Sequence, residues 1–182
     1  MATTKKDAIA LLKEDHRKVE GLFEEFEKAR KADRKSALTR EICMELTIHT
    51  MIEEEIFYPA CNEAVKDDTL SEAYVEHDGA KVLIAEIEAS KPDDEFYGAK
   101  VKVLSEQIKH HVHEEEMRSE GLFTQARAAG LDMMDLAERM ESRKKQLLAE
   151  FKVNGLPTPE TRSFSGTKLK RGAPVAEMRA AE

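Results

Sequence analysis

Apolar side chains recur at three- and four-residue intervals along five stretches of the chain, the spacing of one face of an α-helix. Ile9, Leu12, Val19, Phe23 and Phe26 mark a first helix from about Thr4 to Lys31. Ile42, Leu46, Ile56 and Ala60 mark a second from Ser36 to Val65, with Pro59 expected to kink it or end its regular part. Ala73, Ala80, Ile84 and Ile87 give a third over Leu70 to Ser90, with Asp68 or Thr69 as N-cap. Val101, Leu104 and Ile108 give a fourth from Asp94 to Ala128, ended by Gly130. Asp132 opens a shorter fifth helix, 131–152. The polar breaks "KADRKS", "KDDT" and "KPDD" are short, so consecutive helices run antiparallel. The pattern predicts an all-α, up-down-up-down four-helix bundle over 4–128, with the fifth helix on its outside. After "NGLPTP" periodicity is lost, and residues 153–182 read as a flexible, disordered tail.

Composition supports this reading. With 8 Gly, 5 Pro and no Trp in 182 residues, helix formers dominate and a sheet is disfavoured. The net charge of −8 weighs against nucleic acid or an anionic membrane as partner. No apolar run reaches the roughly 20 residues that span a bilayer. Lys13, Glu14 and Asp15 come too early for a signal-peptide core, so a cytoplasmic location is expected. Cys43 and Cys61 fall on one helix, roughly 27 Å apart at ~1.5 Å per residue, and are expected to be separate thiols.

Histidine placement changes the picture from a bundle to a bundle with chemistry. The inward stripe of the second helix reads Ile42, Leu46, His49, Glu53, Ile56, and that of the fourth reads Leu104, Ile108, His111, Glu115. In both, a histidine and a glutamate four residues apart share one face. The first helix puts His16 on its stripe and the third puts His77 there. The spacing from His16 to His49 is nearly that from His77 to His111, so the chain reads as two copies of one helix pair. Buried carboxylates facing imidazoles are costly unless a cation joins them. Six such residues suit two metal ions sharing bridging carboxylates, and mixed imidazole and carboxylate ligation suits iron above manganese or zinc. The order is His-x-x-x-Glu; ferritin-like di-iron bundles use Glu-x-x-His. In the fourth helix "HHVHEEE" also offers His110 with Glu114, on a less apolar stripe. Glu24, Glu25, Glu54 and Glu116 read as a solvated face.

Taken together, "LKEDHRKVEGLF", "HTMIEEEIFYPA", "EHDGA" and "KHHVHEEE" resemble the hemerythrin family, in particular the bacterial hemerythrin-like HHE cation-binding domains. The resemblance covers about residues 4–128. It implies a non-haem di-iron centre of two iron ions, oxo- or hydroxo-bridged, with His16, His49, Glu53, His77, His111 and Glu115 as metal ligands and the two glutamates bridging. It further implies a small diatomic or peroxide ligand at the iron. The oxygen carriers of the family have a fifth histidine where this chain has Lys81, and an aspartate where it has Glu115, which departs from reversible oxygen carriage. Tyr58, Tyr74, Glu54 or Asp15 could fill an open position. The expected function is binding or sensing of oxygen, peroxide or nitric oxide, by a protein that need not be an enzyme. Iron or cation handling and a di-iron oxidase or peroxide-consuming enzyme are the alternatives.

Overall fold

The computed structural model describes residues 5–62, 64–166, 168 and 170. Its helices are α1 (Ala8–Lys28), α2 (Ala32–Ile52), a π-helical turn (Glu53–Phe57), α3 (Tyr58–Cys61), α4 (Asp67–Glu88), α5 (Tyr97–Glu116), α6 (Leu122–Ala128) and α7 (Met133–Asn154). The protein is all-α. Asp7 caps α1 by accepting from the Ala10 amide at 2.8 Å, and Asp132 caps α7 by accepting from Met134 and Asp135. α1 packs on α2, α4 on α5, and the two pairs close on each other through α2–α4 and α1–α5. α7 lies across α1, α2 and the π turn. No described helix is long and apolar enough to cross a membrane.

Two apolar layers fill the bundle. One holds Leu12, Ile48, Ile52, Phe57, Leu122 and Phe123 with the inner face of α7. The other holds Val19, Leu46, Ala80, Leu104 and Ile108. Three helices, α1, α2 and α4, cross from one layer to the other at their histidine: Leu12 and Val19 flank His16, Leu46 and Ile52 flank His49, and Ala73 and Ala80 flank His77. The histidines therefore meet in a thin polar sheet between two greasy ones. Cys43 and Cys61 are free and buried.

Several boundaries differ from the sequence reading: the first helix begins at Ala8, the second at Ala32, inside the expected polar break, and the fourth at Tyr97. The third helix starts earlier, at Asp67, with Lys66 in the N-cap position, so neither Asp68 nor Thr69 caps it. The regular part of the second helix ends ahead of Pro59, as expected, but already at Ile52, where a widened turn begins in which the Tyr58 amide bonds the Glu53 carbonyl five residues back. A proline at 59 removes one amide from the ladder, and the extra residue of a π turn absorbs the misfit. The fourth helix breaks after Glu116, and α6 restarts at Leu122. Gly121 makes that fold-back: a Cβ there would sit 2.5 Å from the Met117 carbonyl oxygen and 2.6 Å from that of Glu115. Lastly, the segment expected to begin the flexible tail is held to the bundle as far as Ser163. Asp78 accepts from the amides of Arg162 (2.7 Å) and Ser163 (2.6 Å) and from the Ser163 hydroxyl (2.7 Å), and Leu156 packs on both apolar layers. Residues 171–182 of the expected tail lie outside the described residues.

Candidate metal centre

The inner layer brings together all six residues singled out by spacing. His16, His49, His77, His111, Glu53 and Glu115 are buried, Glu53 completely. In the fourth helix it is His111 and Glu115 that turn inward, while His110 faces solvent. The Nε2 atoms of His16 and His49 are 3.1 Å apart, and those of His77 and His111 are 3.2 Å apart. These are the two pairs the sequence repeat defines. Glu53 Oε2 lies 3.2 Å from His49 Nε2 and 3.3 Å from His77 Nε2. Glu115 Oε2 lies 3.3 Å from His16 Nε2 and 3.5 Å from His111 Nε2. Each carboxylate thus spans both histidine pairs.

An outer ring orients the imidazoles, and it obeys the same repeat. His16 Nδ1 faces Glu116 at 2.8 Å, and His77 Nδ1 faces Glu54 at 3.1 Å; both acids directly follow an inner glutamate. His49 Nδ1 faces Asp15 at 3.7 Å, and His111 Nδ1 faces Glu76 at 2.7 Å; both acids directly precede a histidine of the partner helix. Carboxylates at hydrogen-bond distance from Nδ1 orient His16, His77 and His111 with Nε2 pointing inward, whereas His49 Nδ1, with Asp15 beyond that distance, has no hydrogen-bond partner among the described residues. Two aromatic rings close the layer from the α7 side. Tyr58 stacks on His77, ring centres 5.3 Å apart, and Phe123 stacks on His16 at 5.9 Å. The Tyr58 hydroxyl is 3.1 Å from Glu115 Oε1, 3.2 Å from His77 Nε2 and 3.5 Å from Glu53 Oε2. It joins the donor set of one half, whereas Phe123 offers the other half no polar atom. On the opposite side a cavity of about 10 Å³ lies among Val19, Leu46, Ile108, Val112 and the four histidines.

The donor set fits a pair of cations. The Nε2 atoms of His16 and His49 face each other at 3.1 Å, a spacing that either a shared proton or a cation between their lone pairs satisfies. Glu53 Oε1 and Glu115 Oε2 are buried without a hydrogen-bond partner among the described residues. Adjacent ligands at right angles round one ion, with metal–nitrogen bonds of ~2.1 Å, stand about 3 Å apart, close to the spacing seen. Without cations the layer balances its charge awkwardly. Burial and the neighbouring Glu115, Asp15 and Glu54 charges push the Glu53 carboxyl far upward. Burial raises Glu115 too, but His111, His16 and His49 outweigh it and hold its carboxyl at about 2. His16, resisting its burial through Glu115 and Glu116, rises to about 9, while burial lowers His49 to about 4. Buried carboxylates and imidazoles pushed in opposite directions within one cluster are costly to keep without a cation to join them.

Glu54 and Glu116, expected on a solvated face, belong instead to the outer ring. Lys81 holds Glu54 (2.9 Å), joined by Arg162; Lys13 and Arg17 hold Glu116. Single-helix periodicity misses them because each acid points sideways at a histidine of another helix. The duplicated doublets, an acid before His16 and His77 and a second acid after Glu53 and Glu115, were the available signal.

Comparison with known proteins agrees with this geometry. The family model described as "Hemerythrin HHE cation binding domain" matches residues 7–123. A DNA nickase from Nostoc sp. (strain PCC 7120 / SAG 25.82 / UTEX 2576) is 28% identical over 106 residues, 58% of this chain; the chain spans only 30% of that protein's length. The crystal structure of a hemerythrin HHE cation binding domain-containing protein, the Rv2633c homolog from Mycobacterium kansasii, is similar in fold, with a TM-score of 0.66 at 22% identity, covering 83% of this chain and 95% of that one. With the family model covering well over half its length, the chain belongs to the hemerythrin HHE cation-binding family.

Proposed function

We propose that the protein holds two iron ions in the polar layer and uses them to bind or sense oxygen, peroxide or nitric oxide. His16 and His49 would hold one ion and His77 and His111 the other, with Glu53 and Glu115 joining them. The observation that carries this reading is the shared reach of each carboxylate: one oxygen of Glu53 within 3.3 Å of a histidine from either pair, and one of Glu115 within 3.5 Å. Iron held there supplies redox and Lewis-acid chemistry toward a small ligand.

The chain's own residues set which ligand can arrive. The cavity beside the histidines has room for about one water-sized molecule, and Val19, Leu46, Ile108 and Val112 make it apolar. That wall favours a small, weakly hydrated molecule over a larger anion. Tyr58 brings a hydroxyl to the donor set from the side opposite that cavity, within reach of His77 and Glu115, where it would hydrogen-bond the metal ligands. The net charge of −8 weighs against a DNA substrate of the kind the Nostoc relative's name implies.

The test is to reconstitute with ferrous iron under nitrogen, then admit air, peroxide or nitric oxide in turn while recording near-ultraviolet and visible absorption. A new charge-transfer band, formed in proportion to protein, supports the reading. A loaded protein whose spectrum stays blank with all three ligands refutes it. Sustained peroxide loss at many equivalents per chain would move the reading from sensing to enzymatic consumption.

A further inference from the structure

The outer ring has an asymmetry. Three of its four carboxylates meet a lysine or arginine on their outer side: Asp15 meets Lys144, Glu54 meets Lys81 and Arg162, and Glu116 meets Lys13 and Arg17. The fourth, Glu76, meets no lysine or arginine among the described residues. Its Oε2 accepts from His111 Nδ1 at 2.7 Å, and its Oε1 lies 3.5 Å from His110 Nε2. His110 Nε2 is in turn 3.2 Å from Glu114 Oε1. In the repeat, Asp15 is the counterpart of Glu76, and α7 supplies its lysine. The counterparts of His110 and Glu114 are Ile48 and Ile52, which are buried in the layer that α7 completes. On the half of the bundle across which α7 does not lie, the place of that lysine and its apolar support is taken by a His-x-x-x-Glu pair.

We propose that Glu76, His110 and Glu114 form a third cation site, outside the buried centre, for a divalent first-row transition ion such as zinc, cobalt or ferrous iron. One ligand atom from each residue lies within 4.8 Å of the others. An imidazole and two carboxylates, one from α4 and an i,i+4 pair from α5, present three converging donors, and the exposed side leaves room for water. The imidazole selects against calcium and magnesium, which take oxygen ligands. A cation there supplies Glu76 with the positive neighbour its three equivalents have. Glu76 then joins the two sites directly, one oxygen toward the outer ion and the other on His111.

The test counts ions. Load the full chain with iron, desalt it, measure iron, and dialyse against a graded series of zinc concentrations with excess magnesium. The proposal expects one further zinc per chain, on top of whatever the centre holds. His110→Ala and Glu114→Gln should each weaken that zinc at least tenfold, while iron content and helical circular dichroism stay at the parent values; His113→Ala should leave it unchanged. No further equivalent, a further equivalent that survives both substitutions, or one that magnesium displaces would overturn the proposal. Because iron is counted before zinc is added, a failure at the centre and a failure at the outer site give different results.

Discussion

At the scale of residues, function rests on which atom of each imidazole is tied. Three outer acids, Glu116, Glu54 and Glu76, hydrogen-bond the Nδ1 side of His16, His77 and His111 and so aim those Nε2 atoms at the middle of the bundle, while Asp15 faces His49 Nδ1 from 3.7 Å. Glu116→Gln keeps the shape but weakens a charge-assisted bond to a neutral one, and should lower metal affinity about 10–100-fold, read by competition with a chelator. Glu54→Gln should do the same on the His77 side. Unchanged affinity in both would show that the outer ring does not orient the ligands. The inner six were legible in the sequence because a polar residue on an apolar stripe stands out against period 3.6. The outer four were not legible as partners of Nδ1, although Asp15 and Glu54 stood among the candidates for an open position, because an acid beside the stripe looks solvated until its partner helix is in place. Glu54 and Glu116 were misread for that reason.

At the scale of elements, two irregularities position the site, and both follow an inner glutamate. After Glu53, the π turn lets Tyr58 sit above the glutamate and stack on His77. After Glu115, the chain needs three more residues, leaves the helix and returns at Gly121, which places Phe123 on His16. The same crossed arrangement, each half's aromatic on the other half's histidine, is reached by two different backbone routes. Periodicity alone could not show this: Pro59 signals a disturbance without its kind, and "RSEG", where the first copy has "IFYP", signals a small local insertion without its route. Gly121→Ala would drive a Cβ into two carbonyl oxygens, and should destabilise the fold by about 2–4 kcal/mol while disordering Phe123. Gly21→Ala, with nothing within 4 Å of its added Cβ and a mid-helix position in α1, should instead stabilise by about 0.5–1 kcal/mol. Denaturant titration of the two variants checks both signs.

At the scale of the molecule, the bundle is a sandwich of two apolar layers around one polar sheet, with additions on both sides. α7 covers the α1–α2 face and lends Lys144 to Asp15. The segment beyond α7 crosses the α2–α4 face, where Lys81 donates to the Glu160 carbonyl and Asp78 receives Arg162 and Ser163. Its composition is that of a loose tail, because two of the three bonds to Asp78 come from its own backbone amides, which no side-chain pattern displays. Asp78→Asn would set an amide donor against those amides and should loosen the segment by about 1–3 kcal/mol. Hydrogen exchange should then speed up at Arg162 and Ser163 and stay slow in α1 and α5; unchanged exchange at both would show that Asp78 does not hold the segment. The account as a whole stands on the polar sheet being a cation site. The most direct measurement is metal content by mass spectrometry after ferrous loading under nitrogen and desalting, for the parent chain and for His111→Ala. The account predicts close to two irons per chain in the parent, with most of that iron gone in His111→Ala. A parent that retains no iron, or a His111→Ala chain that retains as much as the parent, would contradict it.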